Sequence, residues 1–242
     1  MRPLGLFRLV AVVLLLAVCV PCFLVTRAFG KGDFWVRTFL ARMGWLLGLR
    51  VRVVGRPLPA NVLFAANHSS WLDILTLGGE ARARFIAKSE IEGWGLVGTL
   101  ARLAGSVFVS RDRRSATRAQ ADAVALALRE GRPVALFAEG GTGDGVLLDP
   151  FRPALFAAAV EAGSAVQPVA IDYGTRNAEM AWPDGMRFSE EMKRILNRPG
   201  RIDVTIHFMP ALDARALGRK ELAGRAQAAV ADALGRPLRL AA

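Results

Sequence analysis

Cysteine is scarce in this chain, and the two cysteines present do not indicate a redox or metal site. Cys19 and Cys22 have the C-x-x-C spacing, but both lie inside an apolar segment and the sequence contains no other cysteine. A redox or metal role needs a different setting. We therefore expect both to serve as small apolar side chains, and we expect no bound metal and no cofactor.

Several catalytic and binding loops are also missing. The glycine-rich stretch 139–145 lacks the Gly-Lys-Ser/Thr ending of a nucleotide-binding P-loop. The spacing of Asp144 and Asp149 fits no standard calcium loop. Ser69 and Ser70 lack the G-x-S-x-G context of an activated serine, so a covalent serine mechanism is the weaker alternative.

Acidic residues are outnumbered, with 32 Lys and Arg against 21 Asp and Glu, which gives a formal net charge of +11. No recognition helix, zinc finger or RNA-binding signature accompanies this charge. The chain is also 53% hydrophobic, and each basic group near acidic lipid contributes about 1 kcal/mol to membrane binding. We expect an anionic membrane surface as a partner, and no nucleic acid.

The chain shows no internal repeat and no low-complexity linker, and its 242 residues suit one well-buried domain with an anchor. We expect a membrane anchor and an amphipathic interface helix in residues 1–50 and a catalytic domain in residues 51–242. Leu9 to Val25 is an uncharged apolar run without a small-x-small cleavage site after it, so we expect it to be retained. Pro21 would kink or end a helix there, which leaves a re-entrant hairpin open beside a full span.

After this run, apolar residues recur at three- and four-residue steps from Phe34 to Leu49, with Arg37 and Arg42 between them. This pattern is typical of a basic amphipathic helix in the headgroup plane, and packing on the core is the alternative.

Short apolar stretches then alternate with helical patterns. The alternation predicts an α/β fold, with helices around a mostly parallel central sheet and an N-terminal membrane-anchoring helical segment. The expected strands are Val51–Val54, Val62–Ala66, Arg84–Ala87, Gly105–Ser110, Val134–Phe137, Val166–Tyr173 and Ile202–Met209.

Two details of this prediction concern proline and glycine. Gly78-Gly79 should end the helix that begins near Trp71. Pro168 favours an edge or strand-start position for the strand that contains it.

The polar stretch Asn67–Asp73 follows the strand predicted at Val62–Ala66, and it holds one of the two histidines. Ser69 and Ser70 suit a helix N-cap, so Asp73 should lie in the first turn of the next helix. Its carboxylate could then fold back onto the imidazole of His68. A carboxylate on one ring nitrogen makes the other a positioned general base.

The chain contains four blocks in this order: Asn67–Asp73, Phe108–Arg111, Glu139–Gly145 and Val166–Ile171. Together they resemble the glycerolipid acyltransferases typified by bacterial 1-acyl-sn-glycerol-3-phosphate acyltransferase, over roughly Val51 to Leu234. The resemblance implies transfer of an acyl group from a thioester to the free hydroxyl of a lysolipid. His68 would be the base and Asp73 its orienting partner.

The resemblance also implies a set of substrate-binding residues. Lys88 falls in a K-x-E block whose lysine helps to hold the headgroup, although it could equally be a solvated lysine at a strand end. An arginine after a strand can grip phosphate or carboxylate with two hydrogen bonds, although Arg111 could instead belong to the basic run 111–114. Backbone amides near Gly140 could stabilise a tetrahedral oxyanion. The whole set is Lys88, Phe108 and Arg111, with Glu139, Gly140, Gly141 and Thr142 of the E-G-T-R block.

The last block departs from the family pattern, because Gly141 and Thr142 stand where Thr and Arg are common. One cationic phosphate clamp is therefore missing. The following Gly143–Gly145 and Phe151–Leu155 are more similar to the lyso-ornithine lipid acyltransferase branch. The first expectation for the acceptor is 1-acyl-sn-glycerol-3-phosphate, giving phosphatidic acid, because this activity is commoner in the family; lyso-ornithine lipid is the alternative.

The resemblance leaves the donor open between acyl carrier protein, whose acidity suits a basic surface, and acyl-CoA. We expect an enzyme of the inner membrane, with its catalytic domain on the cytoplasmic side. A noncatalytic lipid-binding protein of the same fold is a rival, although the intact His68 and Asp73 argue against it. A hydrolase that releases free fatty acid from the same thioesters or esters is a second rival.

Overall fold

The computed structural model describes residues 1–109, 114–182 and 185–239, and for residues 114–121 it describes the backbone only. Within these ranges, helices cover both faces of an eight-stranded mixed sheet, which confirms the predicted α/β class. The strands are β1 (Leu49–Gly55), β2 (Val62–Ala66), β3 (Arg84–Lys88), β4 (Val107–Val109), β5 (Val134–Phe137), β6 (Ala165–Asp172), β7 (Ile202–Phe208) and β8 (Leu212–Asp213). The α-helices are α1 (Pro3–Thr26), α2 (Gly32–Leu47), α3 (Leu72–Glu80), α4 (Ser89–Glu92), α5 (Gly95–Leu103), α6 (Arg114–Arg129), α7 (Ala157–Ala162), α8 (Asn177–Met180), α9 (Phe188–Leu196) and α10 (Arg219–Leu234).

The strand order is β1-β7-β6-β2-β5-β3-β4, with β8 pairing the start of β6. The strands from β6 to β4 in this order run parallel to one another. In contrast, β7 is antiparallel to β6, and β1 is parallel to β7. The carboxyl ends of β2, β3, β5 and β6 therefore meet at one edge, which is where ligands bind in sheets of this kind.

Strand β2 lies in the middle of the sheet and is buried throughout. Val62, Phe64 and Ala66 pack into the apolar cluster on one face, while Leu63 and Ala65 pack into the cluster on the other. Because both faces are covered, this strand reads as a continuous apolar run rather than an alternating pattern.

The prediction that Pro168 marks an edge or strand start is wrong, since β6 lies between β2 and β7. The carbonyl oxygen of Pro168 accepts a hydrogen bond from the backbone N–H of Met209 at 3.1 Å. The N–H and C=O of one strand residue point to the same side, so the N–H that proline lacks would have faced the junction between β7 and β8. Pairing with β7 covers residues 169–172 of β6 and pairing with β8 covers 165–166, so the proline lies in the gap between them.

Gly78-Gly79 does not end α3, which continues to Glu80. A Cβ atom at Gly79 would lie 3.0 Å from Cα of Ala41, and one at Gly78 would lie 2.4 Å from Cδ1 of Leu40. The two glycines therefore let α2 pack closely on α3. Their role is helix packing, which outweighs their weak helix propensity.

The boundary between α2 and β1 also differs from the prediction. The helix ends at Leu47 and the strand begins at Leu49, earlier than expected, because Gly48 adopts a left-handed conformation with φ of 102°. A glycine in this conformation commonly ends a helix.

The N-terminal helix is long and apolar enough to cross a membrane, and no other helix of the described ranges meets that criterion. It continues through Pro21 to Thr26, so the proline does not end it. A turn through Gly30, with φ of 69°, brings α2 back alongside α1.

Arg8 joins this hairpin to the rest of the protein. Its buried guanidinium donates to the carbonyl oxygens of Ile195, Leu196 and Arg198, at 3.3, 3.3 and 2.7 Å, at the carboxyl end of α9, where a cation is favoured.

Candidate active site

Three of the residues singled out in the sequence, His68, Asp73 and Glu139, lie in contact near the carboxyl ends of β2 and β5. Asn67 and His68 directly follow β2, and Asn67 extends its pairing with β6. The Asn67 side-chain N–H donates to the carbonyl of Ile171 at 3.0 Å, and the Ile171 N–H donates to Asn67 Oδ1 at 2.8 Å. These two hydrogen bonds fix the backbone from which His68 projects.

His68 and Asp73 form the pair that their spacing predicts. The distance from His68 Nδ1 to Asp73 Oδ2 is 3.0 Å, and the Asp73 side chain is fully buried in the first turn of α3. The same Oδ2 accepts the backbone N–H groups of Ser69 at 2.8 Å and Ser70 at 2.9 Å. A carboxylate can only accept, so the Nδ1 carries the proton and Nε2 of the neutral ring is the free base. This arrangement can abstract a proton from a hydroxyl group.

The ring of Phe137 holds the imidazole from one side. The two ring centroids lie 3.8 Å apart with an interplanar angle of 12°, and Phe85 stacks in turn on Phe137 at 5.9 Å. Packing on one face and a hydrogen bond at Nδ1 together restrict the orientation of the His68 ring.

Tyr173, to which the sequence assigned no site role, completes the contacts of Asp73. Its hydroxyl group donates to Asp73 Oδ1 at 2.6 Å, and the side chain is buried. Burial, followed by the charge of Asp73, raises the pKa of Tyr173 well above its usual value, so the hydroxyl stays protonated and remains a donor. The only signal in the sequence is that the chain's single tyrosine follows directly on a buried strand.

We expect the Tyr173→Phe variant to lower kcat about tenfold while the KM for the acceptor changes little. The substitution leaves the buried Oδ1 of Asp73 without a partner, which costs about 1–3 kcal/mol and loosens the carboxylate that orients His68. Steady-state kinetics with acceptor titration would measure both parameters. Phe208→Leu removes a buried ring from the same apolar cluster without touching Asp73, so an equal loss of kcat there would show that Tyr173 acts only through stability.

Glu139 lies beneath the histidine rather than in the open cavity. Its buried carboxylate accepts the backbone N–H of His68 at 2.5 Å through Oε1 and that of Asp149 at 2.8 Å through Oε2. Burial raises the pKa of Glu139 to about 7, although both hydrogen bonds oppose this. The carboxylate thus connects the histidine turn to the segment that follows the glycine-rich stretch.

Glu139→Gln should remove one component of the pH dependence of stability. The folded-state pKa of about 7 exceeds the ordinary value of 4.5, so between these pH values the folded protein keeps a proton that the unfolded chain has released. Stability is therefore lost as pH rises through this window, by about 3 kcal/mol. Thermal unfolding at pH 5 and pH 8 would show a smaller difference in the variant; an unchanged difference would contradict the prediction.

The glycine-rich loop passes under His68 and lines the cavity beside it. The Gly143 N–H donates to the His68 carbonyl at 2.7 Å, and the Gly140 N–H donates to the Phe137 carbonyl at 3.1 Å. The Gly140 amide therefore already has an acceptor, which leaves its neighbours as the amides near Gly140 that could serve the oxyanion. Among the described residues, no acceptor binds the N–H of Gly141 or Thr142, so these two amides are the candidates.

A cavity of about 580 Å³ opens from His68. Its polar lining includes Lys88, Gly140, Gly141, Thr142 and Arg152, and the rest of the lining is mainly apolar. The size and the apolar lining suit a fatty acyl chain. Its apolar walls include Phe85, Ile86, Ile91, Trp94, Leu136 and Leu155.

Three of the predicted binding residues, Lys88, Phe108 and Arg111, do not share one position relative to this cavity. Lys88, at the end of β3, is exposed and lines it. Val109 also lines it, and since successive strand residues face opposite sides, the half-buried Phe108 points away. Arg111 lies outside the described residues.

Comparisons with known proteins agree with this geometry. A family model described as Acyltransferase matches residues 50–172. A lyso-ornithine lipid O-acyltransferase from Rhodobacter capsulatus is 36% identical over 201 residues, covering 78% of this chain and 72% of that protein. A 1-acyl-sn-glycerol-3-phosphate acyltransferase from Neisseria gonorrhoeae is 41% identical over 138 residues, covering 54% of each. The solved structure of the 1-acyl-sn-glycerophosphate (LPA) acyltransferase from Thermotoga maritima has a TM-score of 0.72, at 24% identity, and covers 95% of this chain and 92% of that one. This last likeness shows the shared fold.

Proposed function

The chain belongs to the acyltransferase family, and from this premise we propose that it transfers a fatty acyl group from a thioester to the hydroxyl of a lysolipid, with His68 as the general base. The observation that carries the proposal is the 3.0 Å contact from His68 Nδ1 to the buried carboxylate of Asp73, beside a largely apolar cavity that His68 lines.

The chemistry is direct transfer without an acyl-enzyme. His68 Nε2 takes the proton of the acceptor hydroxyl as its oxygen attacks the thioester carbonyl. The resulting tetrahedral oxyanion collapses, the C–S bond breaks, and the leaving thiolate takes the proton from the imidazolium. Asp73 stabilises the imidazolium, because its negative charge lies against Nδ1 throughout.

The oxyanion needs hydrogen-bond donors close to His68. Gly141 and Thr142 line the cavity, and their backbone amides bind no acceptor among the residues described. Donors that are already in place need little rearrangement when negative charge develops on the carbonyl oxygen. We assign the oxyanion to these two amides.

For the acceptor we place lyso-ornithine lipid ahead of 1-acyl-sn-glycerol-3-phosphate, the reverse of the order expected from the commoner activity of the family. Thr142 takes the place of a cationic phosphate clamp. In addition, the lyso-ornithine lipid relative aligns over 78% of this chain and the glycerophosphate relative over 54%. Lys88 contributes to binding the headgroup from the cavity wall, and Glu139 acts by holding the histidine turn.

Residues 1–50 act as the membrane anchor and interface helix, and residues 51–242 as the catalytic domain. An apolar N-terminal helix and a net charge of +11 support association with an anionic membrane. We place the protein at the inner membrane with its catalytic domain on the cytoplasmic side, where acyl carrier protein and acyl-CoA are both available. The basic surface favours the acidic carrier protein.

The proposal is tested by incubating detergent-purified protein with a labelled fatty acyl group carried as a thioester on acyl carrier protein or on CoA. Lyso-ornithine lipid and 1-acyl-sn-glycerol-3-phosphate are offered in parallel. We expect a labelled diacyl product with lyso-ornithine lipid. Free fatty acid in the absence of acceptor would indicate a hydrolase instead, and folded protein that forms no diacyl product with any donor would refute acyl transfer to these acceptors.

A further inference from the structure

Arg152 lies seven residues after the glycine-rich stretch 139–145 and lines the cavity beside it. Its backbone N–H donates to the Ala138 carbonyl at 2.9 Å, and its Nε donates to the Glu139 carbonyl at 3.1 Å. Glu139 in turn accepts the backbone N–H of His68. Glu139 therefore contacts both the guanidinium group and the backbone of His68, and Arg152 lines the same cavity as His68.

The two terminal nitrogens of Arg152 have no hydrogen-bond partner in the part of the chain that the structure describes. Within residues 1–109, 114–182 and 185–239, neither nitrogen has a hydrogen-bond acceptor and the guanidinium forms no ion pair. Glu90 lines the same cavity but lies beyond ion-pair distance from Arg152. A cation held at Nε, with two terminal nitrogens available as donors at a largely apolar cavity, is suited to bind an anion.

Gly140 provides the space in which this guanidinium lies. A Cβ atom at Gly140 would come within 2.7 Å of Arg152 Nε and 2.9 Å of its Cδ, and the backbone there has φ of 78°. A side chain at residue 140 would therefore displace Arg152. The position of Arg152 therefore depends on a glycine at residue 140.

We propose that Arg152 binds the acidic group of the acceptor headgroup, a carboxylate or a phosphate, and supplies the positive charge that Thr142 does not. The proposal rests on the proposed function for the identity of the acceptor. The planar fork of arginine matches either anion through two parallel hydrogen bonds. Arg152 is thus a specificity-determining residue for acidic lysolipids.

The test is equilibrium binding without any acyl donor, followed by quenching of tryptophan fluorescence, since Trp94 and Trp182 line the cavity. The probes are lyso-ornithine lipid, 1-acyl-sn-glycerol-3-phosphate and a neutral monoacylglycerol of the same chain length. We expect Arg152→Ala to weaken binding of the acidic probes by about 10- to 100-fold and to leave the monoacylglycerol unchanged. A loss confined to one acidic probe would identify its headgroup as the one bound.

The chain provides a matched control. Arg215 Nε donates to the Gly163 carbonyl at 3.1 Å, and Gly163 has φ of 59° with a Cβ position 3.2 Å from that nitrogen, but neither residue lines the cavity. Arg215→Ala removes the same charge from outside the site and should bind every probe normally. Gly140→Ala should reproduce the Arg152→Ala result, while Gly163→Ala should not.

Two results would overturn the inference: Arg152→Ala and Gly140→Ala both binding acidic probes as tightly as the wild type, or a loss of monoacylglycerol binding as large as that of the acidic probes. Because no donor is present, the result is independent of catalysis. Wild-type protein that binds acidic lysolipids through Arg152 but transfers no acyl group would refute the proposed function and leave this inference standing.

Discussion

His68→Ala is expected to lower the rate of acyl transfer by about 10²- to 10⁴-fold, the range typical of removing a general base. Alanine leaves no group beside the cavity that can take the acceptor proton from the position of Nε2. The acceptor and donor should still bind, because the cavity walls and the loop amides are unchanged. Single-turnover measurement of labelled diacyl product, at saturating acceptor, separates this loss of chemistry from a loss of binding.

His207→Ala is the natural control, since it is the chain's only other histidine and lies on β7, outside the residues that line the cavity. It should retain normal activity. If His68→Ala keeps more than about a tenth of the wild-type rate in folded protein, then His68 is not the base and the mechanism proposed above is wrong.

Asp73→Asn should produce the second largest loss, about 10²-fold or more, although the variant is nearly the same size. Asp73 Oδ2 accepts from His68 Nδ1 and from two backbone N–H groups, while Oδ1 accepts from Tyr173. An amide oxygen can replace Oδ2, but its NH₂ group must then face the tyrosine hydroxyl. In either orientation of the amide, the negative charge that stabilises the imidazolium is gone.

The measurement is the rate of product formation together with a thermal unfolding curve, because Asp73 also holds the turn before α3. Asp213, the last residue of β8, accepts the backbone N–H of Arg215 at 2.9 Å and does not line the cavity. The Asp213→Asn variant should therefore keep the normal rate. A folded Asp73→Asn protein with nearly wild-type activity would show that the contact with His68 is structural only.

The local part of the site was predictable from the sequence. His68 and Asp73 are five residues apart, joined by a turn and the first turn of a helix, so their contact follows from local backbone geometry. The bounds predicted for strand β2 are the observed ones. They too follow from local sequence, because an uninterrupted apolar run between polar residues allows few other assignments.

Residues distant in the sequence required the tertiary structure. Tyr173 lies 100 residues from Asp73, and Glu139 lies 71 from His68. These contacts depend on β5 and β6 being the two neighbours of β2 in the sheet. Hydrophobic periodicity predicts that strands exist, but it does not encode their order.

The wrong predictions for Pro168 and Gly78-Gly79 have a related cause. Each residue type was interpreted by its own backbone preference, whereas its position was decided by a neighbour. The proline lies where β7 pairing gives way to β8 pairing, and the glycines lie against α2. Sequence alone determined the chemistry available at the histidine, because that chemistry is built from adjacent residues. The tertiary structure decided which distant groups hold the pair and which cations line the cavity beside it, because only strand order and helix packing bring those groups together.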